Sequence, residues 1–286
     1  MSAIEEGRKK LNRRLNHIDI TFINTLSRIV EEGQIVKTRN SETTRLRNIM
    51  IEFWDTPLVS VRRTAWKNAL REMEWFLSGS TNIYKLHPKV HKWWEPWADG
   101  DGEIDNNYSK QFRNFEGKHG SVDQVQYMID TLTNNPYSRR NVITTWHTYD
   151  MLLPETPITN CHGSLIQAFV EPSDNTVHLT MNQRSCDMVL GVPHNWIQYW
   201  AFMLFLAHKS GRNPGSLTWI GGDCHIYPDH LEVCDEMDSE DISEECMGLE
   251  TPNLIYNPTS EEFKAEDFSL DVEYKPIIKK SLKMTT

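Results

Sequence analysis

The sequence predicts an α/β (α+β) fold in a single domain spanning residues 1–286, and three observations predict it. At 286 residues the chain can bury one large core without disulfide staples. Helix-period and strand-like segments are interleaved along it. It carries neither a dinucleotide-binding glycine loop nor an internal repeat.

The elements follow in order. Residues 61–79, "VRRTAWKNALREMEWFLSG", place Ala65, Ala69, Leu70, Met73, Phe76 and Leu77 at helical spacing, with Gly79 as a stop. Glu72 falls at the margin of that apolar stripe, where a carboxylate is partly desolvated. The stretch 88–99, "PKVHKWWEPWAD", is read as a structured loop, leading into the turn-rich 100–112. Segments 139–147, 163–170, 175–183 and 215–221 are rich in Val, Ile, Thr and Trp with partial alternation, and read as strands. Between the last two, "NWIQYWAFMLFLAHKSGRNPG" (195–215) is apolar almost all round, which predicts a buried helix closed by Gly211. The run 235–250 carries eight acids and no base, and reads as a solvated surface segment.

A net charge of −10 argues against non-specific nucleic-acid binding, which rests on clustered Lys and Arg. A small anionic substrate needs only a few local arginines. The five cysteines are irregularly spaced, without a zinc-like grouping, so no metal is expected and they read as cytosolic thiols. No apolar leader core and no 18-residue apolar run appear, so the expectation is a cytoplasmic protein without a membrane span.

Two places stand out for chemistry. Cys161, in "PITNCHGSLIQAF" (157–169), is by itself more often a small buried hydrophobe than a nucleophile. Further on, "QRSCDMVLGVPHN" (183–195) crowds Gln183, Arg184, Ser185, Asp187 and Asn195 around an apolar "MVLG", a donor density that suits an anionic, hydrogen-bonding ligand.

That second motif resembles the nucleotide-binding signature of the thymidylate synthase family. "EMEWFLSGSTNIYKLH" (72–87), "YSRRNVITTWH" (137–147) and "GGDCHIY" (221–227) fall in the same family's order, over roughly residues 30 to 230, with a weaker echo at "YKPIIK" (274–279). The resemblance implies a homodimer with a mixed β-sheet at its interface and a long buried central helix. It implies dUMP and 5,10-methylenetetrahydrofolate as substrate and co-substrate, with no nucleic acid required. Cys161 matches the nucleophile that adds to C6 of the pyrimidine, making C5 nucleophilic toward the folate's methylene carbon. Arg184 matches the residue favouring the thiolate and, with Ser185 and Arg39, the phosphate site. Arg139 and Arg140 match a pair donated to the other subunit's phosphate. Glu72 matches a carboxylate assisting proton transfers, and a raised pKa suits that task. Tyr108, His225 and Tyr227 match contacts to the sugar, the ring's water network and the proton route. Asn195 matches the base reader, able to accept from N3–H and donate to O4 of uracil. Asp187 matches a catalytic, folate-contacting acid, and Trp94 a residue lining the folate pocket.

Some positions leave the family pattern. Asn160 precedes the cysteine where proline is usual, "RNSETT" (39–44) replaces a glycine-rich loop, and His194 stands where an apolar aromatic is usual. "GEIDNNYSKQ" (102–111) is similar to the phage hydroxymethylase branch, and the tail 275–286 ends in polar threonines. Polar groups at Asn106, Asn107, Asn160 and His194, with a weakened lid, favour water capture over hydride transfer. The reading is therefore a phage-type dUMP hydroxymethylase, with a thymidylate synthase as the alternative and a non-catalytic nucleotide- or RNA-binding regulator as the reading of another class.

Overall fold

Among the described residues the first helix is α1 (His17–Glu32), capped by Asn16, whose side-chain oxygen accepts the Asp19 N–H at 3.3 Å. Ile18, Phe22, Leu26 and Ile29 form its buried stripe. The computed structural model describes residues 16–38, 41–153, 159–280 and 282. After α1 come β1 (Gln34–Lys37), β2 (Glu42–Phe53), α2 (Trp66–Ser78), α3 (His91–Trp94) and α4 (Tyr108–Arg113). A small hairpin of β3 (Phe115–Gly117) and β4 (Gly120–Val122) leads to α5 (Gln124–Asn134), β5 (Val142–Ile143) and α6 (Thr148–Met151). The second half runs β6 (His162–Glu171), β7 (Thr176–Asp187), α7 (Gly191–Lys209), β8 (Asn213–Ile226), α8 (Leu231–Met237) and α9 (Glu240–Gly248), closing with β9 (Leu254–Tyr256) and β10 (Phe268–Leu270).

Six strands form one sheet in the order β1-β2-β8-β7-β6-β5. It is mixed, because β7 and β8 run parallel while their other pairings are antiparallel. A parallel pair needs a long crossover, and α7 supplies it. Lying over the sheet and under α2, that helix is enclosed almost all round: Trp196, Tyr199, Phe202 and Leu206 are fully buried. This is the long buried helix the sequence predicts.

Several boundaries move. The helix read over 61–79 begins only at Trp66, because Val61 and Arg62 pair with the C-terminal segment at Ile278. Gly79 does end it, at φ +80°. The buried helix spans 191–209 and not 195–215, since Gly211 turns at φ +67° and β8 starts at Asn213. Of the strand read over 139–147 only Val142 and Ile143 pair, while Thr144 and Thr145 bond through their hydroxyls to Ser164 O (2.7 Å) and His162 O (2.8 Å). The loop over 88–99 contains α3, and the turn-rich 100–112 contains most of α4. Acidic residues 235–250 lie mostly on α8 and α9, with Met237 and Cys246 buried beneath them.

The carboxyl ends of β7 and β8 meet the amino end of β6 and the start of α7, so Cys161, Arg184, Asp187, Asn195 and His225 converge there. Between His162 and Leu165 the β6–β7 register slips at Gly163, which sits at φ +65° against the Tyr199 hydroxyl. Among the described residues no helix is long and apolar enough to cross a membrane.

Candidate active site

Cys161 is partly exposed just ahead of β6. Its N–H and that of His162 both donate to the Tyr108 hydroxyl, at 2.6 and 3.3 Å. Tyr108 stacks on the His162 ring at 4.2 Å, and His162 Nδ1 meets the Tyr199 hydroxyl at 2.9 Å. Burial pushes His162 down to about 3, so its ring is neutral. Burial also pushes the Cys161 thiol up, and Arg184 and Ser185 pull it back. Arg184 lies over Trp146 and bonds through Nε to Asn160 O at 2.8 Å and through one terminal nitrogen to Thr159 Oγ1 at 2.6 Å. That nitrogen stands 3.8 Å from the sulfur, close enough to favour a thiolate.

A second group lies between α2 and α7. Glu72 receives the Trp94 indole N–H at 2.6 Å and the Gln198 amide at 2.7 Å. Burial raises its pKa to about 7, although both donors oppose that rise. A carboxyl so placed exchanges protons near neutrality. Asn195 donates to Gln198 Oε1 at 3.1 Å and accepts from Gln183 Nε2 at 3.0 Å. Tyr108 joins the two groups, edge-on to Trp94 at 6.1 Å.

The remaining predicted residues divide. Asp187 caps the approach to α7 by accepting the Leu190 N–H at 3.1 Å, and pairs in register with His225. His225 Nδ1 contacts Asp223 Oδ1 at 3.0 Å and packs edge-on to the half-buried Tyr227. Trp94 is buried, its N–H committed to Glu72. Arg139 and Arg140 are not brought to this site: they lie exposed on the turn before β5. Because Val142 pairs with Gln167, antiparallel pairing carries them toward the far end of β6, about 20 Å from Cys161. Arg39 lies outside the described residues.

Two of the polar positions expected to admit water are committed to backbone. His194 donates from Nδ1 to Leu190 O and accepts the Ala65 N–H at Nε2, and burial pushes it down to about 4, as an accepting nitrogen requires. Asn107 is buried as the cap of α4. Asn106 accepts from Lys110 Nζ at 2.9 Å. Asn160 donates to Thr145 O at 2.9 Å, but its buried Oδ1 has no hydrogen-bond partner among the described residues.

Sequence reasoning missed Gln198, His162 and Tyr199 as members of the site. Gln198 had a signal: it sits three residues after Asn195, hence on the same helix face, as a polar residue in an otherwise apolar run. His162 and Tyr199 meet only through the bulge at Gly163, which leaves no sequence pattern.

Fold and site together describe an enzyme with a thiol beside a cation, linked through Tyr108 and Trp94 to a buried carboxyl poised near neutrality. The chain belongs to the thymidylate synthase family, whose model, described as thymidylate synthase, matches residues 20–286. The match runs further toward both ends than the sequence motifs do. A thymidylate synthase of Corynebacterium aurimucosum is 36% identical over 228 residues, covering 77% of this chain and 82% of its own. One from Francisella philomiragia is 32% identical over 236 residues, covering 78% and 83%. One from Brachyspira hyodysenteriae is 34% identical over 268 residues, covering 90% and 97%. None of the three bears a hydroxymethylase name, so they lend the phage subtype no support. Among the described residues no cluster of His, Cys, Asp and Glu is arranged to hold a metal ion.

Proposed function

We propose that this chain converts dUMP to dTMP with 5,10-methylenetetrahydrofolate as one-carbon donor, releasing dihydrofolate. The observation that carries the reading is the Cys161 sulfur 3.8 Å from Arg184, in one site with a Glu72 carboxyl raised to about 7. As a thiolate, Cys161 bonds to C6 of uracil, and the C5–C6 π pair moves toward C5 and O4. Arg184 favours the thiolate and, with Ser185 and Arg39, binds the phosphate. Tyr108 fixes the backbone that carries the sulfur. Asn195 accepts from N3–H and donates to O4, and Glu72 holds the proton exchanged at O4 and C5. When the product leaves, the C6–S bond breaks and the C5–C6 double bond returns.

The folate supplies the carbon and, for a methyl product, the hydride. The residues present fit it: Trp94 and Trp97, 6.0 Å apart, offer an aromatic wall, and the Asp187 side chain is 21% exposed. His225 and Tyr227 serve the sugar side.

Water capture is the second reading. The relatives' synthase names favour hydride transfer, and the commitment of His194 and Asn107 to backbone removes two of the polar groups that pointed to water. Asn160, with its unpartnered Oδ1, is the observation that still favours it. Incubating the protein with dUMP and 5,10-methylenetetrahydrofolate, with mass spectrometry of the nucleotide and absorbance of dihydrofolate, tests the choice. A methyl product with stoichiometric dihydrofolate is expected; a hydroxymethyl product without dihydrofolate overturns it.

The working unit is a homodimer joined through the open face of the sheet. Met50, Ile220, Asn182 and Leu165 form one row across it by register, and Phe169 and His178 another, extended by Trp54. Met50 is 69%, Trp54 56%, Phe169 47% and Leu165 40% exposed, large apolar side chains left bare on one face of the sheet. Such a face buried against its own copy carries Arg139 and Arg140 toward the other subunit's phosphate.

A further inference from the structure

Five side chains form a single directed chain of hydrogen bonds. Trp219 Nε1–H donates to Gln183 Oε1 at 3.0 Å, and Gln183 Nε2–H to Asn195 Oδ1 at 3.0 Å. Asn195 Nδ2–H donates to Gln198 Oε1 at 3.1 Å, and Gln198 Nε2–H to Glu72 Oε2 at 2.7 Å and Ala69 O at 3.0 Å. Both ends are obligate, since an indole N–H only donates and a backbone carbonyl only accepts. Each amide between them therefore has one allowed orientation.

That orientation has a chemical meaning. Uracil presents a donor at N3 and an acceptor at O4, whereas cytosine presents an acceptor at N3 and donors on its exocyclic amine. An asparagine amide matches either edge, by turning half a revolution about its terminal bond. Asn195 alone does not discriminate; whatever holds its amide does. We propose that Gln198 is the positioning residue that fixes the amide of Asn195 and so restricts the site to uracil. This rests on the dUMP reading above. Turning Asn195 would set its Nδ2 against Gln183 Nε2 and its Oδ1 against Gln198 Oε1, donor on donor and acceptor on acceptor. Gln198 is fully buried, so water does not repair the mismatch. The locked orientation also aims Nδ2 toward the Glu72 side, where O4 must lie if Glu72 is to exchange its proton.

The test compares dUMP and dCMP binding by calorimetry, without folate, in the wild type, Gln198→Met and Trp219→Phe. Methionine keeps the unbranched shape and removes both polar ends; Trp219→Phe removes the indole N–H at the opposite end of the chain. The wild type is expected to prefer dUMP by about 100-fold or more, and both variants to narrow that ratio by about tenfold. In Gln198→Met the Glu72 limb of the kcat/KM pH profile moves to higher pH, because a donor to the carboxylate is gone; in Trp219→Phe it stays. An unchanged ratio in Gln198→Met, or equal loss of both nucleotides there, overturns the proposal. A wild type that binds neither nucleotide refutes the dUMP reading and not the role of Gln198. Should Gln198→Met not fold, Gln198→Leu, which likewise lacks both polar ends, is read in its place.

Discussion

The Tyr108 hydroxyl accepts two consecutive backbone N–H groups, those of Cys161 and His162, at 2.6 and 3.3 Å. One phenol thus sets the position of the thiol. Tyr108→Phe leaves both N–H groups without that acceptor, and each buried orphan costs about 1–3 kcal/mol. The expected outcome is a loss of about 2 kcal/mol in urea unfolding and a kcat lowered about 100-fold, since small misplacements of a nucleophile are costly. Stability lost with kcat intact would show that the tyrosine is scaffold only.

Arg184 stands 3.8 Å from the thiol, and it works against the burial that pushes the thiol up. In Arg184→Met the thiol pKa rises, and the pH midpoint of Cys161 alkylation by iodoacetamide moves to higher pH. Arg184→Lys restores the charge but not the fork that grips Thr159 and Asn160. Its midpoint lies between the other two. A midpoint unchanged in Arg184→Met would mean the guanidinium serves the loop alone.

Much of this fold was legible because burial is periodic where packing is one-sided. Residues 65–77 show α2 as a stripe, and β6 and β7 show as runs rich in β-branched residues. β2 was missed for a physical reason: Met50 lies on the bare face, Arg45 bonds Asp223, and Asn48 sits at φ +57°, so its pattern does not alternate. α1 was missed although Ile18, Phe22, Leu26 and Ile29 recur at helical spacing. At the site, Glu72 was placed at the stripe's margin by helix phase alone. Its pairing with Trp94, and the convergence of Cys161 with Tyr108, depend on contacts between distant segments that spacing does not encode. The family resemblance brought those residues forward; Gln198 came only with the structure.

Glu72 gives the protein a pH signature with a definite sign. Its folded pKa, about 7, exceeds the ordinary 4.5, so the folded state binds the proton more tightly than the unfolded chain. Its stability is therefore full below about pH 4.5 and falls as pH rises through about 7, a change of about 3 kcal/mol for one buried carboxyl. Asp19, raised by burial to about 6, acts in the same direction, so the contrast between wild type and Glu72→Gln isolates Glu72. The buried neutral rings of His162 and His194 act in the opposite direction in both proteins, so urea unfolding from pH 5 to pH 8 should show the wild type losing stability relative to Glu72→Gln as pH rises. Parallel curves would place the raised pKa elsewhere.

The exposed turn carrying Arg139 and Arg140 makes the dimer testable by activity. Within one protomer the antiparallel pairing of β5 and β6 holds them about 20 Å from Cys161, so the role proposed for them requires an interface. Cys161→Ser and the double variant Arg139→Ala/Arg140→Ala should each be nearly inactive as purified. After unfolding and refolding together in equal amounts, half of the dimers are mixed. Each mixed dimer has one site with both lesions and one with neither, so activity returns to about a quarter of wild type. Met50→Asp, a charge on the bare sheet face, should yield monomers by sedimentation and abolish that recovery when introduced into both chains. Recovery absent from the mixture, with each variant folded and dimeric, would remove the arginines from the partner's site; a monomeric wild type would remove the interface itself.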